Sequence, residues 1–129
     1  MIEHLSFGVK DLARARRFYD AAFKALGYSC VAEFPGAAGY GPAGADAGGA
    51  GLWLMAVERP VAADEKSGLH LCLAAKSRAA VDAFHAAAVA NGGRDNGKPG
   101  VRKDYGDNYY ASFAIDPDGY RLEAYCGNA

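Results

Sequence analysis

The chain has 129 residues, of which 51% are hydrophobic and 22% are charged, and its formal net charge is −1. This length suits a single domain with one sizeable core. The charge balance argues against nucleic acid as a main partner because there is no basic excess to neutralise phosphates, and no apolar run approaches the roughly 20 residues that span a bilayer.

The cysteines and the N-terminus bear on the compartment. Cys30, Cys72 and Cys126 are odd in number, and none of them has C-x-x-C spacing. No signal peptide is visible at the N-terminus. These features predict a cytoplasmic protein with reduced thiols and no membrane association.

The first half of the chain predicts one strand, one helix and three further strands. Alternation in residues 2–9 places His4 on one face of the first strand and Phe7 on the other, which would pack under a helix. Asp11 is a good N-cap for a helix that runs to about Leu26. Strands are predicted over residues 28–34, near 38–40 and over 52–57.

The second half repeats this order after a polar linker. A strand is predicted over residues 69–75, and Ser77 caps a helix that runs to about Asn91. Residues 95–107 are interpreted as a loop. Strands over 109–115 and 120–125 are joined by a turn whose sequence is Asp-Pro-Asp-Gly, residues 116–119.

An internal repeat explains this order. Residues 4–28 align with residues 70–94 without a gap, so that His4 falls on His70. With a four-residue gap, Trp53 falls on Glu123. A duplicated βαβββ unit is the economical explanation, with module one over about 1–58, a linker over about 59–67 and module two over about 68–127.

The repeat predicts a metal site. Glu123 lies inside an otherwise apolar strand, where a carboxylate is costly without a partner. If the modules pack edge to edge, His4 and His70 face each other, and Glu123 comes from a neighbouring strand. Two imidazoles and one carboxylate suit a divalent ion, namely Fe, Mn, Ni, Co or Zn.

These motifs resemble the vicinal oxygen chelate superfamily, which includes glyoxalase I, bleomycin-resistance proteins, fosfomycin resistance enzymes and extradiol dioxygenases. The resemblance rests on residues 4–19, on Leu26-Gly-Tyr28, on His70-Leu-Cys-Leu and on residues 116–123, which read Asp-Pro-Asp-Gly-Tyr-Arg-Leu-Glu. It implies an α+β fold of two βαβββ modules, which form a cupped, mostly antiparallel sheet with helices on the outer face.

The resemblance also implies functions. It assigns His4, His70 and Glu123 as metal ligands, whereas Trp53 stands at the position where glyoxalase I-like members have a fourth ligand. It implies a metal-dependent lyase, transferase or dioxygenase whose substrate chelates the metal through adjacent oxygens. One alternative is a non-catalytic protein that sequesters a small molecule, as bleomycin-resistance members do. Another is a member of the fold with neither activity nor a physiological metal. The catalytic residues stay open.

The small-molecule site needs a lining between the modules. The residues that we expect to contact the substrate are Trp53, Met55, Arg102, Tyr110, Arg121 and Tyr125. A homodimer is expected because strand edges and apolar surface need covering. Whether modules pair within one chain or between chains stays open.

Overall fold

The computed structural model of the protein describes residues 2–128. The chain folds as two successive βαβββ units, which confirms the predicted fold class. Module one consists of β1 (Leu5–Val9), α1 (Leu12–Ala25), β2 (Tyr28–Phe34), β3 (Ala37–Pro42) and β4 (Leu52–Ala56). Module two consists of β5 (Leu71–Ala74), α2 (Arg78–Ala90), β6 (Arg94–Val101), β7 (Tyr110–Ile115) and β8 (Arg121–Cys126).

Each module forms its own four-stranded mixed sheet. The strand orders are β1-β4-β3-β2 and β5-β8-β7-β6, with the first pair of each sheet parallel and the other pairs antiparallel. Ser6 lies opposite Trp53 in the first sheet, and Cys72 lies opposite Glu123 in the second. The two sheets therefore have the register that the internal repeat predicts.

The helices lie on one face of the sheets and pack against each other. α1 covers β2, β3 and β4, whereas α2 covers β6, β7 and β8. The side chain of Asp11 caps α1 by accepting from the backbone N–H of Arg14 at 2.9 Å, and Ser77 caps α2 in the same way. Phe7 and Val9 are buried on the helix side of β1, as the alternation predicts.

The turn between β7 and β8 joins the two modules. Asp116 is buried, and its Oδ1 accepts from the backbone N–H groups of Asp118 and Tyr120 at 2.9 and 2.8 Å. Its Oδ2 accepts from the hydroxyl of Tyr19 on α1 at 2.8 Å. Gly119 has φ of 100°, which only glycine adopts without strain.

Two further contacts fix this turn on module one. Asp118 accepts from the backbone N–H of Lys10 at 2.9 Å and from Arg14 Nη2 at 3.0 Å. The Tyr120 ring stacks on Phe7 at 4.3 Å, and its hydroxyl donates to the backbone carbonyl of Gly8 at 2.8 Å. The two modules consequently share one hydrophobic core.

The interpretation of residues 95–107 as a loop is wrong for its first part, because β6 extends over Arg94–Val101. β6 is an edge strand whose pairing with β7 is interrupted twice, on either side of Gly97. Edge strands tolerate Pro and bulges, so Pro99 and the two glycines do not prevent pairing here.

We expect Tyr19→Phe to lower the free energy of unfolding by about 1–3 kcal/mol, because the buried Asp116 carboxylate loses a donor. Chemical denaturation measures the change. Tyr110→Phe is the matched control, since its hydroxyl bonds Asp82 at the surface, and we expect a change of about 0.5 kcal/mol or less. Equal effects in the two variants would contradict the assignment.

Burial raises the pKa of Asp116, so the folded protein binds this proton more tightly than the unfolded chain does. The ionised carboxyl therefore disfavours folding above its folded pKa, and this penalty disappears as the pH falls toward the unfolded value of about 3.9. We expect wild-type protein to gain stability relative to Asp116→Asn as the pH is lowered from neutral. Urea denaturation across the pH range tests this, and a pH-independent difference would refute it.

Candidate functional site

A buried carboxylate lies on the second sheet, on the face that the helices leave open. Glu123 in β8 is only 3% exposed. Its Oε1 accepts from the hydroxyl of Tyr109 at 2.7 Å, and its Oε2 lies 3.2 Å from Nε2 of His70. These two contacts stabilise the Glu123 carboxylate, which would be costly to bury in an apolar strand without partners.

Strand pairing brings these side chains together. His70 directly precedes β5, which pairs in parallel with β8, so that His70 shares a face with Cys72 and Glu123. Arg121 and Tyr125 share that face by alternation along β8. On β7, Phe113 lies opposite Glu123.

Tyr109 was not among the predicted site residues. It precedes β7 and has the parity of Ala111 and Phe113, which lie opposite Tyr125 and Glu123. Its ring packs on that of Tyr125 with centroids 4.1 Å apart. The β7–β8 register could have identified Tyr109 as the tyrosine on the Glu123 face. The next residue, Tyr110, has the opposite parity and lies on the other face.

That later residue is Tyr110, which the structure does not bring to the open face. Its hydroxyl donates to Asp82 on α2 at 2.7 Å, and the guanidinium of Arg78 lies 5.1 Å from its ring centroid. Tyr110 faces Cys126 across the strands, on the helix side of the sheet.

Arg102 lies near the same open face. Its guanidinium is 5.3 Å from the ring centroid of Phe113, and its Nη2 donates to the backbone carbonyl of Lys98 at 2.6 Å. A cation therefore lies beside the aromatic residues of this face. That combination suits a ligand with oxygen or anionic groups.

A second set of predicted residues lies on the open face of the first sheet. His4, Trp53 and Met55 line a shallow depression together with Phe34. The Trp53 ring stacks on Phe34 with centroids 5.9 Å apart, and Phe34 is 58% exposed. This face corresponds to the Glu123 face in the internal repeat, but it carries Trp53 where the other face carries the Glu123 carboxylate.

The structure does not bring His4 to His70 and Glu123. His4 belongs to the first sheet, where its Nδ1 lies 3.6 Å from an exposed Glu3 carboxylate. Among residues 2–128, no three side chains of His, Cys, Asp or Glu are placed to hold a metal ion together. His70 Nε2 and Glu123 Oε2, which are 3.2 Å apart, fit as two ligands of one ion at about 2.1 Å from each.

The surroundings of Glu123 keep Cys72 and Tyr109 protonated at neutral pH. Cys72 is an exposed residue, but partial desolvation of its thiol, followed by the negative charge of Glu123, raises its pKa to about 11. Burial and the hydrogen bond to Glu123 also raise the pKa of Tyr109. At neutral pH the Tyr109 hydroxyl is therefore a donor, and Cys72 is not a thiolate.

An apolar cavity of about 280 Å³ lies elsewhere, on the helix side of the sheets. Its lining includes Leu5, Phe23, Leu52, Leu71 and Leu73, which come from both modules. Leu71 and Leu73 alternate with Cys72 along β5, so the cavity is separated from the Glu123 face by the strand itself.

In the part of the chain that the structure describes, no helix is long and apolar enough to cross a membrane. A family model described as Glyoxalase/Bleomycin resistance protein/Dioxygenase superfamily matches residues 1–124. A search of curated proteins found no match.

Several solved structures are similar to this chain. A glyoxalase/bleomycin resistance protein from Albidiferax ferrireducens is 31% identical, with a TM-score of 0.77 over 95% of this chain and 94% of that one. A glyoxalase-related enzyme from Fulvimarina pelagi is 20% identical, with a TM-score of 0.74 over 97% and 86%. A mutant of glyoxalase I from Zea mays is 20% identical, with a TM-score of 0.67 over 96% of this chain and 45% of that one.

We expect Glu123→Gln to lower the pKa of the Cys72 thiol from about 11, because a neutral amide no longer opposes the thiolate. The partial desolvation of the thiol remains in the variant, so its pKa should stay above the ordinary value. The rate of alkylation by iodoacetamide as a function of pH, followed at the Cys72 peptide by mass spectrometry, measures it. Cys30 on the first sheet is the internal control, and an unchanged Cys72 profile would refute the coupling.

Proposed function

This chain belongs to the Glyoxalase/Bleomycin resistance protein/Dioxygenase superfamily, and from that premise we propose that it is a metal-dependent enzyme. The substrate would be a small molecule that chelates the metal through two adjacent oxygens, and the reaction a lyase, transferase or dioxygenase reaction. One observation carries the proposal: the His70 imidazole and the buried Glu123 carboxylate meet at 3.2 Å on an open face.

The donor set supports a divalent transition metal. Imidazole nitrogen and carboxylate oxygen together suit Fe, Mn, Ni, Co or Zn. The chemistry that such an ion supplies when bound is Lewis-acid stabilisation of negative charge on a substrate oxygen. His70 and Glu123 would hold the ion from module two, and His4 would be the third ligand.

We propose that His4 reaches this site from a second copy of the chain. Within one chain, His4 and Glu123 lie on different sheets, and the helices pack between the modules. Among residues 2–128, β1 and β5 each have one edge that pairs with no other strand, and Phe34 and Met55 expose apolar surface. A homodimer that joins the His4 face of one copy to the Glu123 face of the other would cover both the strand edges and the apolar surface.

The remaining residues of the two faces would bind and orient the substrate. Trp53 and Met55 would form an apolar wall on the His4 side. Tyr125, Arg121 and Arg102 would contact the oxygen atoms of the substrate from the Glu123 side. The three cysteines are free thiols, which suits the cytoplasm as the compartment.

A second candidate function is the sequestering of a small molecule without catalysis. It is favoured by the fact that both oxygens of Glu123 already have partners, Tyr109 and His70. The stacked Trp53–Phe34 pair and the Tyr109–Tyr125 pair would then bind a flat ligand. This function needs no metal.

Elemental analysis of untagged protein purified without chelator distinguishes the two functions. We expect about one transition-metal ion per chain for the enzyme, with the content lost in His70→Ala and kept in His85→Ala. His85 is a matched control because it bonds Asp95 away from the site, at 2.9 Å. A metal content that stays near zero after anaerobic titration of the wild type would favour sequestering.

Mixing two variants tests whether the site lies between copies. His4→Ala and His70→Ala should each lack metal alone. After the two are unfolded and refolded together, we expect about a quarter of the wild-type metal content, because half of randomly formed dimers are mixed and each has one intact site. If mixing restores no metal, the site does not combine His4 of one copy with His70 of another.

A further inference from the structure

The two oxygens of Glu123 have different partners. Oε1 accepts a hydrogen bond from the Tyr109 hydroxyl at 2.7 Å, which is a short and strong contact for a charged acceptor. Oε2 instead faces His70 Nε2 at 3.2 Å. One oxygen of the Glu123 carboxylate therefore contacts a hydroxyl donor, and the other contacts the His70 imidazole that we propose as a ligand.

Tyr109 is held in place by its own loop. Its backbone carbonyl accepts from the N–H of Arg102 at 2.7 Å, and its N–H donates to the carbonyl of Gly106 at 3.1 Å. The Tyr109 ring lies between those of Tyr105 and Tyr125, with centroids 5.2 and 4.1 Å away. The hydroxyl therefore reaches Glu123 without the rotamer entropy that a free side chain would lose.

We propose that Tyr109 is a positioning residue. Its hydrogen bond occupies Oε1 of Glu123, so that only Oε2 is available to bind a metal ion. This inference rests on the proposed function. A carboxylate can bind a metal through one oxygen or through both. Restricting Glu123 to one oxygen would leave positions on the ion open for the two adjacent oxygens of the substrate.

The direction of the hydrogen bond agrees with this role, because the Tyr109 hydroxyl donates to Oε1 of Glu123 at 2.7 Å. Removing a hydrogen bond that orients a metal ligand typically costs about 10–100-fold in metal affinity. The adjacent Tyr110 cannot replace Tyr109, because its hydroxyl is bonded to Asp82 on the helix side.

The test compares Tyr109→Phe with Tyr110→Phe. Tyr109 and Tyr110 are adjacent in the sequence, and each substitution removes one hydroxyl together with its hydrogen bond of 2.7 Å. Of the two, only Tyr109 contacts Glu123. The probe is Co(II), titrated into metal-free protein and followed by its visible absorption. We expect about 10–100-fold weaker binding in Tyr109→Phe and no change in Tyr110→Phe.

The Co(II) spectrum supplies a readout that a purely structural role would not change. When Glu123 is free to bind through both oxygens, the coordination number rises, and the visible absorption per bound ion should weaken in Tyr109→Phe. Phe keeps the ring contacts with Tyr105 and Tyr125, and far-UV circular dichroism of the metal-free variant verifies that it is folded.

The outcomes separate this inference from the proposed function. If wild-type protein binds no Co(II), the proposed function fails and the inference fails with it. If the wild type binds Co(II) and Tyr109→Phe matches it in affinity and spectrum, the metal site stands and the role of Tyr109 is refuted. Weaker binding with an unchanged spectrum per bound ion also refutes it, because Glu123 then binds as before.

Discussion

The contact between the Asp116–Tyr120 turn and module one is the constraint on which the rest of the structure depends. A buried carboxylate from module two accepts the hydroxyl of Tyr19 on α1, and Asp118 bonds both the backbone of Lys10 and the side chain of Arg14. Because these acceptors would be costly if left without donors, the two modules are fixed relative to each other. The helices then meet in one core, and neither module covers the open face of the other.

That arrangement explains why the predicted ligands are divided between two surfaces. His4 and Glu123 lie on equivalent faces of two sheets that are related by the internal repeat, and each face is open. An edge-to-edge arrangement within one chain would have brought His4 to His70. Packing through the helices instead leaves the same residues available to the second copy that we propose, and the exposed Phe34 and Met55 would give that copy apolar area to bury.

The sequence predicts the elements that depend on local pattern. Alternation assigns the buried face of β1, and the repeat predicts that Trp53 and Glu123 occupy the same register position in their sheets. β6 was not predicted because Pro99 and its glycines are typical of loops, whereas an edge strand tolerates them. The sequence predicts Tyr110 as a site residue, whereas the structure places Tyr109 on Glu123, because the choice between adjacent tyrosines depends on the β7–β8 register. The packing of the modules depends on tertiary contacts of α1 with α2, which no local pattern contains.

The two modules carry different side chains at the register position where Trp53 and Glu123 correspond. Glu123 is a buried charge and therefore needs its own partners, which are Tyr109 and His70. Trp53 instead stacks on Phe34, so its face offers apolar area and a single imidazole, whereas the other face offers His70, Glu123 and Tyr109. In the homodimer that we propose, each shared site would therefore combine one apolar face with one polar face. The duplicated unit would thus supply two different halves of the site that we propose, and neither half would be complete without the other.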